Sequence, residues 1–188
     1  MLVKSLAVGS HGGLAAAQRG ECDVAPIHLL DPESGIYNQG FLTPGLVLQK
    51  GYRRMQGVVT RADDARSIEE LLEDPAVRMV NRNRGAGTRI LIDRLLAGRK
   101  PAGHPYEPRS HFAVAAAVAQ GRADWGVTIE SVAEEAKLRF RPLQPEEYDF
   151  VIPESRLQRP AVRLLCELLD DPKSNLRRAL ADRGFGAI

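Results

Sequence analysis

The most informative stretch of this 188-residue chain is Asn81-Arg82-Asn83-Arg84-Gly85-Ala86-Gly87-Thr88-Arg89. This stretch follows an apolar run, Val77 to Val80, and precedes a helical pattern, Ile90 to Leu96. The order predicts a strand, a glycine-bearing turn and a helix. Free N–H groups at a helix start, small residues that admit a ligand to the backbone, and nearby guanidinium groups together predict a seat for an anion.

The composition is typical of a globular protein. The net charge of +2 is too small to argue for nucleic-acid binding on its own. Residues 81–100 carry six basic side chains against Asp93 alone, but this basic stretch is short and lacks interleaved aromatic residues, which argues against direct nucleic-acid binding. No apolar run reaches the length of a membrane span, and no secretory signal is recognisable. The two cysteines form no disulfide framework. The sequence therefore predicts a cytoplasmic protein, or a periplasmic one if a leader was removed.

Strand and helix patterns alternate along the chain. Strands are predicted at 4–8, 23–30, 46–52, 55–61, 77–80, 123–129, 138–143 and 148–152, and helices at 14–19, 68–73, 90–96, 111–120, 131–137, 162–169 and 175–183. This alternation predicts an α/β protein with a mostly parallel sheet covered on both faces. Polar residues at 61–67 predict a crossover, with a return at 141–145. The predicted lobes are 1–61 plus 143–188, and 62–142.

Three predicted strand-to-helix turns share a signature of glycine or hydroxyl side chains. They are Gly9-Ser10-His11-Gly12-Gly13, Arg84-Gly85-Ala86-Gly87-Thr88 and Arg109-Ser110-His111. Ligands of open α/β sheets bind beyond the carboxyl ends of strands, where such turns converge. Each turn alone also fits a purely structural role, as a tight turn or a helix cap, and the arginines fit a solvated surface. Three such turns in one chain favour an anion site.

Metal binding and catalysis find little support in the residue spacing. The four histidines form no HxxxH pattern and no Cys/His pattern, so no metal site is predicted. No GxSxG elbow is present, and the neighbours Ser10–His11 and Ser110–His111 need not face each other. The sequence predicts no catalytic residue, no cofactor and no enzyme activity.

Several further segments occur in a fixed order with these turns. They are Ile27-His28-Leu29-Leu30-Asp31, Tyr37-Asn38, Arg54-Met55-Gln56-Gly57, Ser110-His111-Phe112-Ala113-Val114-Ala115 and Gly121-Arg122-Ala123-Asp124-Trp125-Gly126. Together with Val8-Gly9-Ser10-His11-Gly12-Gly13-Leu14 and the 81–89 stretch, they resemble the molybdate-binding-protein-like family of type 2 periplasmic-binding folds. The resemblance extends from about Ser5 to Tyr148.

The resemblance implies two α/β lobes with mostly parallel sheets, joined by crossing strands and closing on a ligand in a cleft. The implied ligand is a small oxyanion such as molybdate or tungstate. Carried over position by position, the implied contacts are Ser10 and His11 from the first lobe, and Arg84, Gly87, Thr88, Ser110 and His111 from the second. Arg54, with Gln56, is expected to line the cleft or to support the hinge.

Members of that family occur alone, or fused to winged-helix regulators and to molybdopterin-biosynthesis enzymes. Two alternatives to a simple binding module therefore stay open. One is an effector-binding domain of a transcription regulator that senses a small organic acid. The other is an accessory protein of molybdopterin cofactor assembly. The expected partners are a small anion and a fused or associated DNA-binding or molybdopterin-biosynthesis domain, with no direct contact to nucleic acid.

Overall fold

The protein is seen in a computed structural model, which describes residues 3–187. Seven α-helices and six β-strands lie within these residues. The helices are α1 Gly9–Gln18, α2 Ile68–Glu73, α3 Gly87–Leu96, α4 His111–Ala119, α5 Glu130–Glu135, α6 Pro160–Asp170 and α7 Asn175–Ala181. The strands are β1 Ala25–Ile27, β2 Leu46–Thr60, β3 Met79–Val80, β4 Trp125–Ile129, β5 Arg139–Pro153 and β6 Gly186–Ala187. The predicted α/β class is confirmed.

One compact unit comprises the chain up to Arg54 and from Glu146 onward. In this unit β1 pairs antiparallel with β5, and β6 pairs antiparallel with β2. Helix α1 packs on β1, and α6 packs on α7. Gly51 allows β2 and β5 to approach closely, because a Cβ atom there would collide with the carbonyl of Tyr148.

The other compact unit is Met55–Pro145. Here β4 pairs antiparallel with β2 and parallel with β3. Alternate strand residues point to opposite faces of a sheet. Trp125 and Val127 therefore join the core beneath α3, whereas Gly126 and Thr128 face α4. Helix α4 lies close to the strand, because a Cβ atom at Gly126 would press on side chains of β3 and α4.

The direction of the strands differs from the sequence prediction. The pair β3–β4 is parallel, but β1–β5, β2–β4 and β2–β6 are antiparallel. The expectation of a mostly parallel sheet is therefore wrong for the described pairs. It rested on the alternation of strands and helices, which does not reveal that the two longest strands, β2 and β5, contribute to both units.

Several predicted elements differ in extent. The predicted pieces 46–52 and 55–61 form the single strand β2, and 138–143 with 148–152 form β5. Residues 4–8 are not a strand, and the predicted turn Gly9–Gly13 is the beginning of α1. A helix tolerates these glycines because α1 is held by its packing on β1, which local preference does not reveal.

The chain leaves and re-enters the first unit within β2 and within β5, at Arg54–Met55 and at Pro145–Glu146. The polar stretch 61–67, predicted as a crossover, lies inside the second unit, where Arg141 donates to the carbonyls of Asp64 and Arg66. The predicted division into lobes 1–61 plus 143–188 and 62–142 stays a prediction.

No helix within residues 3–187 is both long enough and apolar enough to span a membrane. The predicted cellular location stays a prediction.

Candidate functional site

The start of α3 has the backbone geometry of an anion-binding turn. Gly85 adopts φ +85°, a left-handed conformation that favours glycine, and Ala86 is the extended residue before the helix. The amides of Gly87 and Thr88 lie in the first helical turn, where an α-helix offers no acceptor to its own N–H groups. These donors therefore point out of the helix end, where the helix dipole favours negative charge.

A buried hydroxyl lies in the same helical turn. Thr88 is 0% exposed, and its Oγ1 atom has no hydrogen-bond partner among residues 3–187. A buried polar group without a partner costs about 1–3 kcal/mol. Such groups are rare in folded proteins, and a bound ligand or water commonly supplies the partner at the sites where they persist.

A chain of side-chain contacts links the end of β3 to the start of α4 and to β4. Arg82 Nη1 lies 3.3 Å from His111 Nε2, and His111 Nδ1 lies 3.2 Å from Thr128 Oγ1. A guanidinium only donates, so Nε2 of His111 accepts and its ring proton is on Nδ1. Thr128 Oγ1 accepts that proton and donates to the carbonyl oxygen of His111 at 3.4 Å. This arrangement of donors and acceptors corresponds to the Nδ1–H tautomer of His111.

The positive charge expected around residues 81–100 is partly compensated. Arg89 is almost fully buried and donates to Asp93 Oδ1 at 2.7 Å and to Glu107 Oε1 at 2.6 Å. Burial alone lowers the pKa of Arg89, but its hydrogen bonds to these two carboxylates outweigh burial and raise it. Arg82 and Arg89 therefore differ in surroundings, although the sequence presents them as equivalent.

Ser110 and Arg84 both lie at the surface. Ser110 Oγ accepts a hydrogen bond from the amide of Ala113 at 3.1 Å, so the predicted N-cap of α4 is confirmed. Arg84 is exposed, and its side chain makes no hydrogen bond or ion pair to another residue in the range 3–187. The structure brings the start of α3 and the start of α4 together, since the amide of Asn83 donates to Pro108 at 3.3 Å.

Ser10 and His11 belong to the other unit, at the start of α1. Ser10 is buried, and its Oγ accepts from the amide of His28 at 3.3 Å. The hydroxyl proton of Ser10 is therefore directed away from that amide and can be donated elsewhere. His11 is exposed, and its ring meets Phe41 edge-on with 6.2 Å between centroids.

Arg54 belongs to a buried ionic network that the sequence did not reveal. Its Nε atom donates to Glu146 Oε1, while His28 Nδ1 lies 2.8 Å from Glu146 Oε2. Glu146 is 0% exposed, and the guanidinium of Arg54 lies 4.4 Å from the ring centre of Tyr148. His28 and Glu146 are 118 positions apart, so no local pattern could pair them. The contacts of Arg54 described here are thus with Glu146 and Tyr148 of its own unit, which is the arrangement of a side chain that stabilises the fold.

Among residues 3–187, no group of three His, Cys, Asp or Glu side chains could hold a metal ion. The prediction that the protein needs no metal stays a prediction.

Residues 1–170 match the sequence profile of a family described as a PBP superfamily domain. The chain belongs to this family. This match confirms the predicted type 2 periplasmic-binding-protein-like fold. It also confirms the predicted resemblance as far as the PBP superfamily. The finer resemblance to molybdate-binding-like members stays a prediction.

Among individual proteins, this PBP-family chain is 30% identical over 182 residues to the uncharacterized protein YvgK of Bacillus subtilis (strain 168), covering 89% of the chain and 58% of YvgK. It therefore spans just over half the length of that relative. It superposes with a TM-score of 0.72 on a putative phosphate ABC transporter substrate-binding protein with bound phosphate from Clostridium perfringens. That match has 11% identity and covers 96% of this chain and 85% of the other.

The regulatory domain of a LysR-family regulator, MetR, from N. meningitidis is also similar, with a TM-score of 0.62, 11% identity, and coverage of 93% of this chain and 79% of that one. Identities this low show a shared fold and leave the ligand open. The contacts predicted for this PBP-family chain therefore stay predictions: Ser10, His11, Arg54, Arg84, Gly87, Thr88, Ser110 and His111.

Proposed function

We propose that this PBP-family chain binds a small oxyanion without transforming it, and that the ligand is molybdate or tungstate. The observation that carries the proposal is the start of α3. Two backbone amides without an acceptor in their helix lie there beside a buried threonine hydroxyl that has no described partner. An oxyanion supplies an acceptor for each of these donors, and the helix dipole adds a favourable field.

The start of α4 supports the same proposal. His111 and Phe112 occupy its first turn, where amides also lack acceptors within the helix. Arg82 supplies positive charge there through its contact with His111. Arg84 and Ser110 stay predicted contacts, as do Ser10 and His11 on the other unit. The prediction that one ligand in a cleft meets residues of both lobes also stays a prediction.

A non-catalytic role is favoured by the state of His111, the histidine nearest to these donors. Its two ring nitrogens face Arg82 and Thr128. A general base must present a basic nitrogen to the proton that it removes. Nε2 of His111 faces the guanidinium of Arg82, so it is not directed at a substrate proton. This arrangement favours a role for His111 in orienting Arg82 and Thr128 over a role as a general base.

Replacing Thr88 with valine tests this function. The variant Thr88→Val keeps the shape of the side chain and removes the hydroxyl. We expect the dissociation constant for molybdate and tungstate to rise about tenfold, the equivalent of ~1.4 kcal/mol. The ligand-free protein should be as stable as the parent or more stable, because a buried hydroxyl without a partner is removed. Calorimetry with molybdate, tungstate, sulfate and phosphate measures the dissociation constants. Denaturant unfolding of the ligand-free proteins measures the free energy of unfolding.

The matched control is Thr60→Val in the same unit. Thr60 is also 0% exposed, but its Oγ1 accepts from Arg141 at 3.1 Å. Loss of the Thr60 hydroxyl should lower the free energy of unfolding by about 1–3 kcal/mol and leave the affinity for the anion unchanged. Wild-type protein that binds none of the four anions would contradict the proposed function, as would unchanged affinity in Thr88→Val.

A second candidate is an effector-binding domain of a transcription regulator that senses a small organic acid. The similarity to a LysR-family regulatory domain favours it. A carboxylate could use the same helix N-terminus, since the dipole and the amides do not distinguish it from an inorganic oxyanion. Competition between tungstate and a series of small carboxylic acids separates the two. Accessory action in molybdopterin assembly stays a prediction.

A further inference from the structure

We infer that the ion pair between Arg89 and Glu107 is a positioning contact. It holds the start of α3 and the start of α4 at the spacing that anion binding requires. We call this ion pair the brace. This inference rests on the proposed function. Neither residue is assigned to the ligand. Each acts through the backbone that it fixes.

Arg89 joins three different segments of the second unit. Its Nη1 atom donates to the carbonyl of Arg82 at 2.9 Å and to Glu107 Oε1 at 2.6 Å. Its Nε atom donates to Asp93, four positions further along α3, at 2.7 Å. Arg89 lies in the first turn of α3, directly after Gly87 and Thr88. The guanidinium of Arg89, at the start of α3, thus contacts both the end of β3 and the loop before α4.

The loop that carries Glu107 is itself ordered along β3. The amides of Met79, Asn81 and Asn83 donate to the carbonyls of Ala102, Tyr106 and Pro108 at 2.7, 2.9 and 3.3 Å. This loop ends at Ser110, the N-cap of α4. The longest of the three bonds is the last one, next to α4. Glu107 lies beside that bond and therefore holds the loop where the backbone contacts are weakest.

The two carboxylates on Arg89 differ in what they connect. Asp93 belongs to α3, so its bond to Arg89 remains within one helix. Glu107 belongs to the loop before α4, so its bond connects α3 to another segment. Removing Glu107 therefore breaks the side-chain contact between α3 and that loop but leaves Arg89 paired with Asp93. Removing Asp93 leaves the connection intact.

This difference defines the experiment. Tungstate affinity is measured by calorimetry for Glu107→Ala, for Glu107→Gln and for the matched control Asp93→Ala. Loss of a supporting contact around a bound ion typically lowers affinity about tenfold or more, as seen at metal sites. We expect that loss in Glu107→Ala, recovery to within about threefold in Glu107→Gln, which keeps an acceptor oxygen, and a change below about threefold in Asp93→Ala.

Hydrogen exchange of the ligand-free proteins supplies a second readout that does not depend on any ligand. In Glu107→Ala the hydrogen-bonded amides of Asn83 and Ala113, which donate to Pro108 and to the Ser110 cap of α4, should exchange faster, and in Asp93→Ala the amide of Ala113 should not. Equal loss of affinity in Glu107→Ala and Asp93→Ala, or unchanged exchange at α4 in Glu107→Ala, would overturn the brace. If the wild type binds no tungstate, the exchange data still decide whether the brace exists, and only the proposed function fails.

Discussion

Replacing Glu146 with alanine is expected to lower the free energy of unfolding by about 3–5 kcal/mol, the usual cost of removing one partner of a buried ion pair. Glu146 is fully buried and contacts both the Arg54 guanidinium and the His28 ring. Without this carboxylate, the charge of Arg54 stays buried and loses its anionic partner. Equilibrium unfolding in urea, with the midpoint and the slope both measured, gives the change directly.

The neighbouring carboxylate Glu147 is the control. It pairs with Lys50 and Arg53, whose side chains are about half exposed, and exposed pairs contribute little. Glu147→Ala should therefore cost less than about 1 kcal/mol. Equal destabilisation by the two substitutions would show that the buried network is no stronger than an exposed pair.

Replacing Arg82 with methionine is expected to weaken molybdate or tungstate binding about 100-fold, the equivalent of ~3 kcal/mol, because the buried positive charge beside the start of α4 is lost. Arg82 is buried at the end of β3 and supplies the guanidinium that faces His111. Methionine fills much of the same volume, so the change removes charge more than packing. Calorimetric titration with each anion measures the effect, and circular dichroism verifies the fold.

Arg94→Met is the matched control, because it removes the same charge from the exposed last turn of α3. Arg94→Met should change the affinity for the anion by less than about threefold, because solvent and salt screen an exposed charge at the far end of α3 from the proposed site. Similar losses in both variants would mean that net charge attracts the anion, with no particular role for Arg82.

Local chemistry explains the parts of the fold that the sequence predicts well. Ser67 and Glu70 form a capping box at the start of α2, within the predicted helix 68–73, and Ser110 caps α4. The glycine-bearing turn before α3 is present as well. Each of these depends on residues within a few positions of one another, where side-chain type determines backbone conformation.

Contacts between distant residues explain the parts that could not be predicted. Arg82, Arg84 and Arg89 look alike in sequence, yet one faces His111, one lies exposed, and one pairs with Glu107, eighteen positions away. The antiparallel pairing of β2 with β4, and of β5 with β1, likewise depends on contacts between distant parts of the chain. For the same reason the Glu146 network escaped prediction, and so did the difference between the arginines.

The most direct test of anion binding at the start of α3 is anomalous diffraction at the tungsten edge from crystals grown or soaked in tungstate. Anion binding at this site predicts a tungsten peak at the start of α3, placed so that the oxygens of the bound tungstate lie within hydrogen-bond reach of the Gly87 amide and of Thr88 Oγ1. The tungstate concentration is set between the dissociation constants of the wild type and of Thr88→Val. At that concentration the peak should be strong in wild-type crystals and weak or absent in Thr88→Val crystals. Tungsten confined to exposed arginines, with none at the start of α3, would contradict anion binding at this site.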